Sequence, residues 1–258
     1  MKMMNKIILI KKFKTKYQVT FDNDQIIDFE PMIYTKHHLK LFQIFEKNEY
    51  DKLIEDNLYE RYKRLGLQRL KRMQTKKELY DYLIDKEASI KIAKQLVYEF
   101  NEKRYLDDDA YTKIYVQLHQ DQKGPKYLEQ QLIKKGVEKA IVDSYMQQIN
   151  ELDILSNLIP KKIRLLNGKK SKKQILIKIK TDLLRLGFHS NKIDESIALC
   201  QNDIEEVDIR IVEKYFLKLR AKIKSQELSY EDKQKIFVKL YQKGFPQSLI
   251  TKVIEQNI

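Results

Sequence analysis

The sequence predicts a mainly α-helical protein, with a small N-terminal antiparallel β sheet followed by a tandem array of three-helix repeats that forms a curved helical rod. Three observations predict this fold. β-branched and aromatic runs are confined to residues 6–29, apolar residues recur at a helical period over the rest, and a helix–glycine–helix pattern recurs along the chain. Only six Gly and four Pro occur among 258 residues, which suits helices joined by short connections.

The predicted sheet has about three strands. The runs I-I-L-I-K-K-F, K-Y-Q-V-T-F and Q-I-I-D-F are separated by K-T at 14–15 and D-N-D at 22–24, which are turn residues of β hairpins. Glu30-Pro31 ends the sheet. Because three strands alone are marginally stable, we expect the sheet to pack on the helix that follows, within an N-terminal domain of residues 1–50.

Two helices are predicted before the array. Thr35 is the expected N-cap of the first, which carries Leu39, Leu41, Phe42 and Phe45. The second begins after Asn48 and continues to Met73 as a basic connecting helix over residues 51–77. Its last part, from Arg61 to Lys77, holds eight basic and no acidic residues.

The array is predicted from glycines that each end an amphipathic stretch. Gly136, Gly187 and Gly244 are each followed by an apolar residue and a second apolar stretch, as in a helix, a glycine cap and another helix. An imperfect copy has Glu87 at the glycine position. The predicted repeats cover 78–120, 121–168 and 169–224, where the last helix carries Val207, and a truncated repeat over 225–258 caps the array.

Composition indicates a polyanionic partner. The 51 Lys and Arg exceed the 37 Asp and Glu by 14, which favours nucleic acid first and an anionic membrane second, although a lysine-rich proteome is the alternative explanation. The single Cys200 predicts no disulfide and an intracellular, cytoplasmic protein. The start mimics a signal peptide, but its apolar run at Ile7–Ile10 is short and nothing approaches a membrane span, so no membrane partner is expected.

One motif invites a catalytic interpretation. Three carboxylates stand in Y-L-D-D-D-A-Y at 105–111, and clustered Asp residues hold the ions of two-metal nucleases. However, Asp107, Asp108 and Asp109 stand where a helix begins, where Asp accepts bonds from free N–H groups, and consecutive helical residues point about 100° apart. We therefore predict helix capping rather than a metal site.

No other motif predicts catalysis. K-G-P-K at 123–126 lacks the spacing of a phosphate-binding loop, and Pro125 is expected to begin a helix. The histidines, His37, His38, His119 and His189, have no partner at a ligand spacing, so we expect them on the solvated surface. We predict a protein that is not an enzyme and has no cofactor.

Basic segments without acids are the remaining functional signal. The longest lies between Ile154 and Thr181, across a predicted repeat junction, and two others, the first 20 residues and Arg61–Lys77, precede the array. A solvated surface is the alternative explanation. The residues predicted to bind DNA or a partner are Arg61, Lys63, Arg64, Arg69, Lys71, Arg72, Lys126, Lys134, Lys135, Lys161, Lys162, Arg164, Lys169, Lys170, Lys172 and Lys173. Tyrosines such as Tyr111 and Tyr115 fall in the helical stripes and are expected in the core.

Several motifs occur in an informative order: L-D-D at 106–108 with Ala110-Tyr111, K-G-P at 123–125 and L-I-K-K-G-V at 132–137. Together with the opening K-Y-Q-V-T-F-D-N-D and the long helix after it, they resemble the RecX family of regulatory proteins, in the longer form that has an N-terminal β domain. The resemblance covers nearly the whole chain and is strongest over 78–149. Glu87, and N-E-K-R before Tyr105, replace positions where the family commonly has Gly.

This resemblance implies a modulator of the RecA recombinase in DNA repair and the SOS response. Such a protein binds the groove of the RecA filament on single-stranded DNA and inhibits ATPase, strand exchange and coprotease activity. The implied partners are the RecA filament and single-stranded DNA, with double-stranded DNA as a further ligand, and a monomer is expected. Two alternatives stay open: a nucleic-acid-binding or transcriptional helical module that acts without RecA, and a nuclease that uses Asp107–Asp109.

Overall fold

The computed structural model describes residues 4–204, 208–223 and 227–257. The strands are β1 (Met4–Lys12), β2 (Tyr17–Phe21), β3 (Ile26–Phe29) and β4 (Ile44–Glu46). The helices are α1 (Pro31–Lys36), α2 (Lys47–Arg69), α3 (Lys76–Asp85), α4 (Ile90–Glu102), α5 (Asp108–His119), α6 (Pro125–Lys134), α7 (Lys139–Met146), α8 (Glu151–Leu166), α9 (Lys172–Arg185), α10 (Ser190–Cys200), α11 (Ile209–Arg220), α12 (Tyr230–Gln242) and α13 (Gln247–Gln256).

The N-terminal sheet has the order β3-β2-β1-β4, and every pairing is antiparallel. One face is buried: Ile7, Val19, Phe21 and Phe29 have no exposed surface and pack with Leu53 of α2. The sheet therefore packs on the long helix, because a small sheet needs a second layer to bury its apolar face. A mainly helical fold with a small antiparallel N-terminal sheet is thus confirmed.

The sheet has a fourth strand where a helix was predicted. The helix expected to carry Leu39, Leu41, Phe42 and Phe45 is absent: β4 includes Phe45, and Phe42 has a left-handed backbone (φ 64°). The Phe42 N–H donates to the Ile7 carbonyl at 2.9 Å. The prediction was wrong because a short apolar run is compatible with a helix or a strand. Here the free edge of β1 supplies hydrogen bonds to the backbone of this segment, which favours the strand.

The limits of the next helices also differ from the prediction. Thr35 is not an N-cap but lies in α1, where its hydroxyl donates to the Pro31 carbonyl at 3.0 Å. Helix α2 begins at Lys47, after a capping box between Glu46 and Glu49, and ends at Arg69 rather than extending to residue 77. Residues 70–75 are not helical, so the predicted boundary at 77 falls inside α3.

After Thr75 the helices alternate with short turns, and the predicted glycine positions lie in those turns. Val207 and the predicted boundary between residues 224 and 225 lie outside the described residues. The limits of the repeats themselves remain a prediction.

The chain divides into two compact units. The first is Met1–Thr112 with Lys134–Ile141, and the second is Lys113–Ile133 with Val142–Ile258. In the first, one core lies under the sheet and another packs α3 and α4 against Tyr62 of α2. In the second, one core joins α8, α9 and α10, and another joins α11, α12 and α13. Among the described residues, no helix is both long and apolar enough to cross a membrane.

Candidate nucleic-acid interface

A left-handed turn recurs after the first helix of each predicted repeat. Gly136, Gly187 and Gly244 have φ values of 82°, 90° and 81°, and Glu87 has the same type of backbone at 67°. The following residues, Ala88, Val137, Phe188 and Phe245, are all buried. Hydrophobic burial directly after a left-handed cap is the expected pattern of a helix C-terminus, and it anchors each turn in its core.

In the first unit, one such turn receives the N-terminus of another helix. Thr75 is the N-cap of α3, accepts a bond from the Glu78 N–H at 3.1 Å and is fully buried. Its hydroxyl donates to the carbonyl of Lys135 at 2.6 Å. The stem of Lys77 covers Gly136 so closely that an added Cβ would lie 2.3 Å from the Lys77 Cβ. We call this contact junction A.

The second unit repeats this contact with different residues. Ser171 is the fully buried N-cap of α9, and its hydroxyl donates to the carbonyl of Lys243 at 2.6 Å. The stem of Lys173 covers Gly244, where an added Cβ would lie 2.4 Å from the Lys173 Cβ. This contact is junction C.

Junction B, also in the second unit, achieves the same docking through backbone groups. Gly124 precedes α6, and its N–H donates to the carbonyl of Leu186 at 2.8 Å. The Lys126 N–H donates to the Gly187 carbonyl at 3.1 Å. A side chain at Gly124 would meet backbone atoms of Gly187 and Phe188 at 2.3–2.4 Å, so glycine is required here.

The three junctions place cations at equivalent positions. The second residue of the docked helix is lysine in each, namely Lys77, Lys126 and Lys173. The turn adds Lys134 and Lys135 at junction A, Arg185 at junction B and Lys243 at junction C. Basic groups from segments far apart in sequence thus meet at every junction. This grouping is a candidate anion-binding surface, since clustered Lys and Arg are the electrostatic footprint of a nucleic-acid site.

Junction C has the least neutralised charge. At junction A, Lys77 pairs with Asp81 and Lys135 pairs with Glu78, and at junction B, Arg185 lies 3.6 Å from Asp182. Among the described residues, no acid pairs with the junction C cations, which are Lys170, Lys172, Lys173 and Lys243.

Two junction C lysines also oppose local helix stability. Lys172 and Lys173 occupy the first turn of α9, which contains no acid. Cations there face the positive end of the helix dipole, an arrangement that is unfavourable by about 0.3–1 kcal/mol each. The sequence therefore keeps two cations at a position where they do not favour the helix.

Lys135 shows how a junction lysine keeps its charge. Partial burial alone would lower its pKa, but the interactions with Glu78 and Tyr111 together outweigh burial, and the pKa is raised. Its ammonium also lies 5.4 Å from the ring centre of Tyr111. Lys135 is therefore charged at neutral pH but already engaged by protein groups.

The predicted cations from Arg61 to Arg72 lie in α2 or, for Lys71 and Arg72, directly after it, and they divide into two groups. Arg64 makes two hydrogen bonds of 3.0 Å to Glu30, and Lys63 contacts Glu99 at 2.8 Å, so both hold the N-terminal structure together. Arg69 bonds to Gln74 at 3.0 Å. The exposed cations of this set without a described ion pair are Arg61, Arg69, Lys71 and Arg72.

The predicted basic segment of α8 lies in the second unit. Lys161 and Arg164 are exposed, and Lys162 lies 4.0 Å from Asp182. Lys169 donates to the Leu165 carbonyl at 2.9 Å in the connection to α9. These residues precede junction C in sequence and are continuous with it through Lys170.

Sequence reasoning missed three junction cations, which are Lys77, Arg185 and Lys243, and two lysines next to a junction in sequence, Lys76 beside Lys77 and Lys123 beside Gly124. Lys76 and Lys77 end the acid-free stretch that begins at Arg61, and the other three lie outside the basic segments selected as binding sites. The sequence did show that each of these cations lies near an N-cap or a glycine turn. It did not show which turn packs against which helix, because that pairing depends on the tertiary structure.

Two of the carboxylates at 107–109 bond to helix N-termini, Asp107 at the helix where capping was predicted and Asp108 at a different helix. Asp107 precedes α5 and accepts a bond from the Ala110 N–H at 2.9 Å. The buried Asp108 accepts a bond from the N–H of Lys76, the first residue of α3, at 3.0 Å. Burial raises the pKa of Asp108, and the Lys76 bond opposes this. Across the described residues, no three His, Cys, Asp or Glu side chains are grouped to hold a metal ion.

Two histidines have partners that the sequence did not indicate. A ring nitrogen of His189 lies 2.7 Å from Glu151, which also accepts a bond from the His189 N–H. A ring nitrogen of His37 lies 3.0 Å from Asp56. The His37 side chain is 24% exposed and the His189 side chain 41%, so both reach the surface while a carboxylate engages the ring.

The architecture defines a mainly helical protein with basic junctions and a small N-terminal antiparallel sheet. No family model matches the chain. It is 29% identical over 195 residues to the regulatory protein RecX of Oceanobacillus iheyensis, and this alignment covers 72% of this chain and 71% of that protein. It is 25% identical over 268 residues to that of Streptococcus agalactiae, covering 98% and 100%, and 23% identical to that of Listeria monocytogenes, covering 96% and 94%.

The fold is similar to that of solved RecX proteins. A crystal structure of regulatory protein RecX superimposes with a TM-score of 0.58 at 18% identity, covering 75% of this chain and 99% of that one. RecX from Lactobacillus salivarius gives a TM-score of 0.51 at 22% identity, covering 56% and 97%. The sequence similarity to these relatives supports the chain as a RecX-family protein, and the solved structures show that it shares their fold.

Proposed function

We propose that this protein acts as a monomeric, non-enzymatic inhibitor of a RecA-type recombinase. It binds the groove of the recombinase filament together with single-stranded DNA, and it lowers ATPase, strand-exchange and coprotease activity. This proposal joins the family resemblance to the cations found at the junctions.

The observation that carries the proposal is the repetition of one contact in three places. Each junction docks a helix N-terminus on a left-handed turn and presents a lysine from the second residue of that helix. A filament on DNA is itself a repeating anionic ligand. Several moderate sites on one chain bind such a ligand far more strongly than one site does, because the later contacts become intramolecular.

Inhibition then requires no chemistry by the protein itself. A ligand that binds one filament state better than another shifts the population toward that state. We propose that the junction cations contact the filament and its DNA in a state that hydrolyses ATP slowly.

The test is DNA-dependent ATP hydrolysis by the recombinase, with increasing amounts of the full chain. We expect inhibition at protein ratios well below one to one. Changing Lys172 and Lys173 to Gln should weaken it. Changing Lys178 and Lys180 to Gln is the matched control, because it removes the same charge from α9 at lysines already paired with Asp182 and Asp194.

The outcomes separate the proposal from its alternative. If the intact chain leaves ATPase and strand exchange unchanged at saturating concentration yet binds DNA, the protein is a nucleic-acid-binding module that acts without the recombinase. If the two double variants weaken inhibition equally, net charge rather than junction C is responsible, and the assignment of the site is wrong.

A further inference from the structure

The position three residues before each turn glycine carries an exposed apolar side chain. These residues are Ile133, Leu184 and Tyr241, with exposed fractions of 41%, 43% and 59%. Each lies in the last turn of a helix that ends in a basic junction. At each junction an exposed apolar side chain therefore lies near the cations. Of the three, only the residue at junction C, Tyr241, is aromatic.

Tyr241 is positioned in the turn that forms junction C. Its carbonyl accepts a bond from the Gly244 N–H at 2.8 Å. The next residue, Gln242, accepts a bond from the Lys173 ammonium at 3.5 Å. Tyr241 therefore belongs to the same few residues that bring together the least neutralised cations of the junctions.

The Tyr241 ring is also held in place. It stacks on the ring of Phe237, with centroids 6.2 Å apart and planes inclined by 11°. Phe237 packs partly buried against the core of α11, α12 and α13. This offset contact with an anchored ring orients Tyr241, while 59% of the residue stays exposed.

We propose that Tyr241 is a stacking platform for an unpaired nucleobase, and that the cations of junction C bind the adjoining phosphates. An aromatic surface beside lysines is the combination that single-strand binding uses, because every base has a π face and every nucleotide carries a charge. A duplex keeps its bases stacked internally, so this contact favours single strands. The inference rests on the proposed DNA binding and gives it a strand preference.

The test compares Tyr241→Leu with Tyr241→Phe in binding to a short oligo(dT) strand and to a duplex of equal length. Leucine is the residue at the equivalent position 184, so the helix is preserved. We expect Tyr241→Leu to weaken single-strand binding by about fivefold or more while duplex affinity and the salt slope stay unchanged. Tyr241→Phe should bind within about twofold of the wild type because the ring remains.

The matched control is Tyr230→Leu. Tyr230 is 77% exposed and lies at the other end of α12, beside Glu231 and Asp232, where no phosphate is expected. A strand that contains 5-iododeoxyuridine adds a readout on the unmodified chain, since photocrosslinking should label Tyr241.

The results separate this inference from the proposed function. If the wild type binds single strands but Tyr241→Leu binds them equally well, or crosslinks map elsewhere, Tyr241 is not the platform and DNA binding stands. If the wild type binds neither strand nor duplex at low salt, the proposed DNA binding itself is wrong.

Discussion

The buried hydroxyl of Thr75 donates to the carbonyl of Lys135, 60 residues away in sequence, at 2.6 Å. Ser171 makes the same bond to Lys243 at the same distance. Each hydroxyl also caps its own helix, so one atom joins helix initiation to repeat packing.

We expect Ser171→Ala to lower the free energy of unfolding by about 1–3 kcal/mol, because it removes a cap and leaves the Lys243 carbonyl without this donor. Ser229→Ala is the control, since the Ser229 hydroxyl bonds only within its own helix, to Asp232. Urea unfolding followed by circular dichroism measures both. Equal losses would show that the bond to the turn adds nothing.

Glu87 and Gly136 provide a reciprocal test of the left-handed turns. Glu87→Gly should stabilise the protein by about 0.5–1 kcal/mol, because the strain of an L-residue at positive φ exceeds the added freedom of the unfolded chain. Gly136→Glu should cost more than about 2 kcal/mol, since its Cβ would meet Lys77. Thermal unfolding of the two variants measures whether each gains or loses stability. Lower stability in Glu87→Gly would contradict this explanation.

Glu99 makes the first unit sensitive to acid. Partial burial would raise its pKa, but hydrogen bonds from Lys103, Lys63 and Tyr59 outweigh burial and lower the pKa from 4.5 to about 2. A lowered carboxyl pKa stabilises the folded state above the unfolded value, and this contribution is lost as pH falls from 4.5 to about 2. Urea midpoints of Glu99→Gln should therefore decline less over this range than those of the wild type. Parallel declines would exclude Glu99 as the cause.

Salt dependence tests the junction cations as DNA-binding groups. On a single strand, each phosphate that the protein neutralises contributes about 0.7 to the slope of log affinity against log salt. Changing Lys169, Lys170, Lys172 and Lys173 together to Gln should thus reduce the slope by up to about 3. Fluorescence anisotropy of labelled oligo(dT) at several salt concentrations measures it. Affinity that is flat from low to physiological salt would contradict electrostatic binding by the wild type.

Changes at the acidic motif test capping against catalysis. Asp107→Ala should cost about 0.5–2 kcal/mol of stability because it removes the bond to the Ala110 N–H. Asp108→Asn should cost less than Asp108→Ala, since an amide oxygen can still accept the bond from Lys76. Neither the wild type nor these variants should cleave DNA in the presence of magnesium. Magnesium-dependent cleavage by the wild type that is lost in Asp108→Asn would instead support a nuclease.

Local sequence determined the helices from α3 onward, their glycine turns and the first three strands. Gly136, Gly187 and Gly244 marked left-handed turns because only glycine adopts that backbone without strain, and the apolar periods marked the faces that are buried. Sequence also indicated capping at Asp107, since a carboxylate before a helix accepts its free N–H groups.

Tertiary structure decided the rest, because it depends on which segments meet. Residues 44–46 pair with the free edge of β1, so a segment with a helix-like pattern is a strand. Lys173 and Lys243 are 70 residues apart in sequence and come together only when Ser171 docks on the turn at Gly244. The exposure of Tyr241 also depends on the tertiary structure. The hydrophobic periodicity of a helix does not show whether a neighbouring helix covers a given ring.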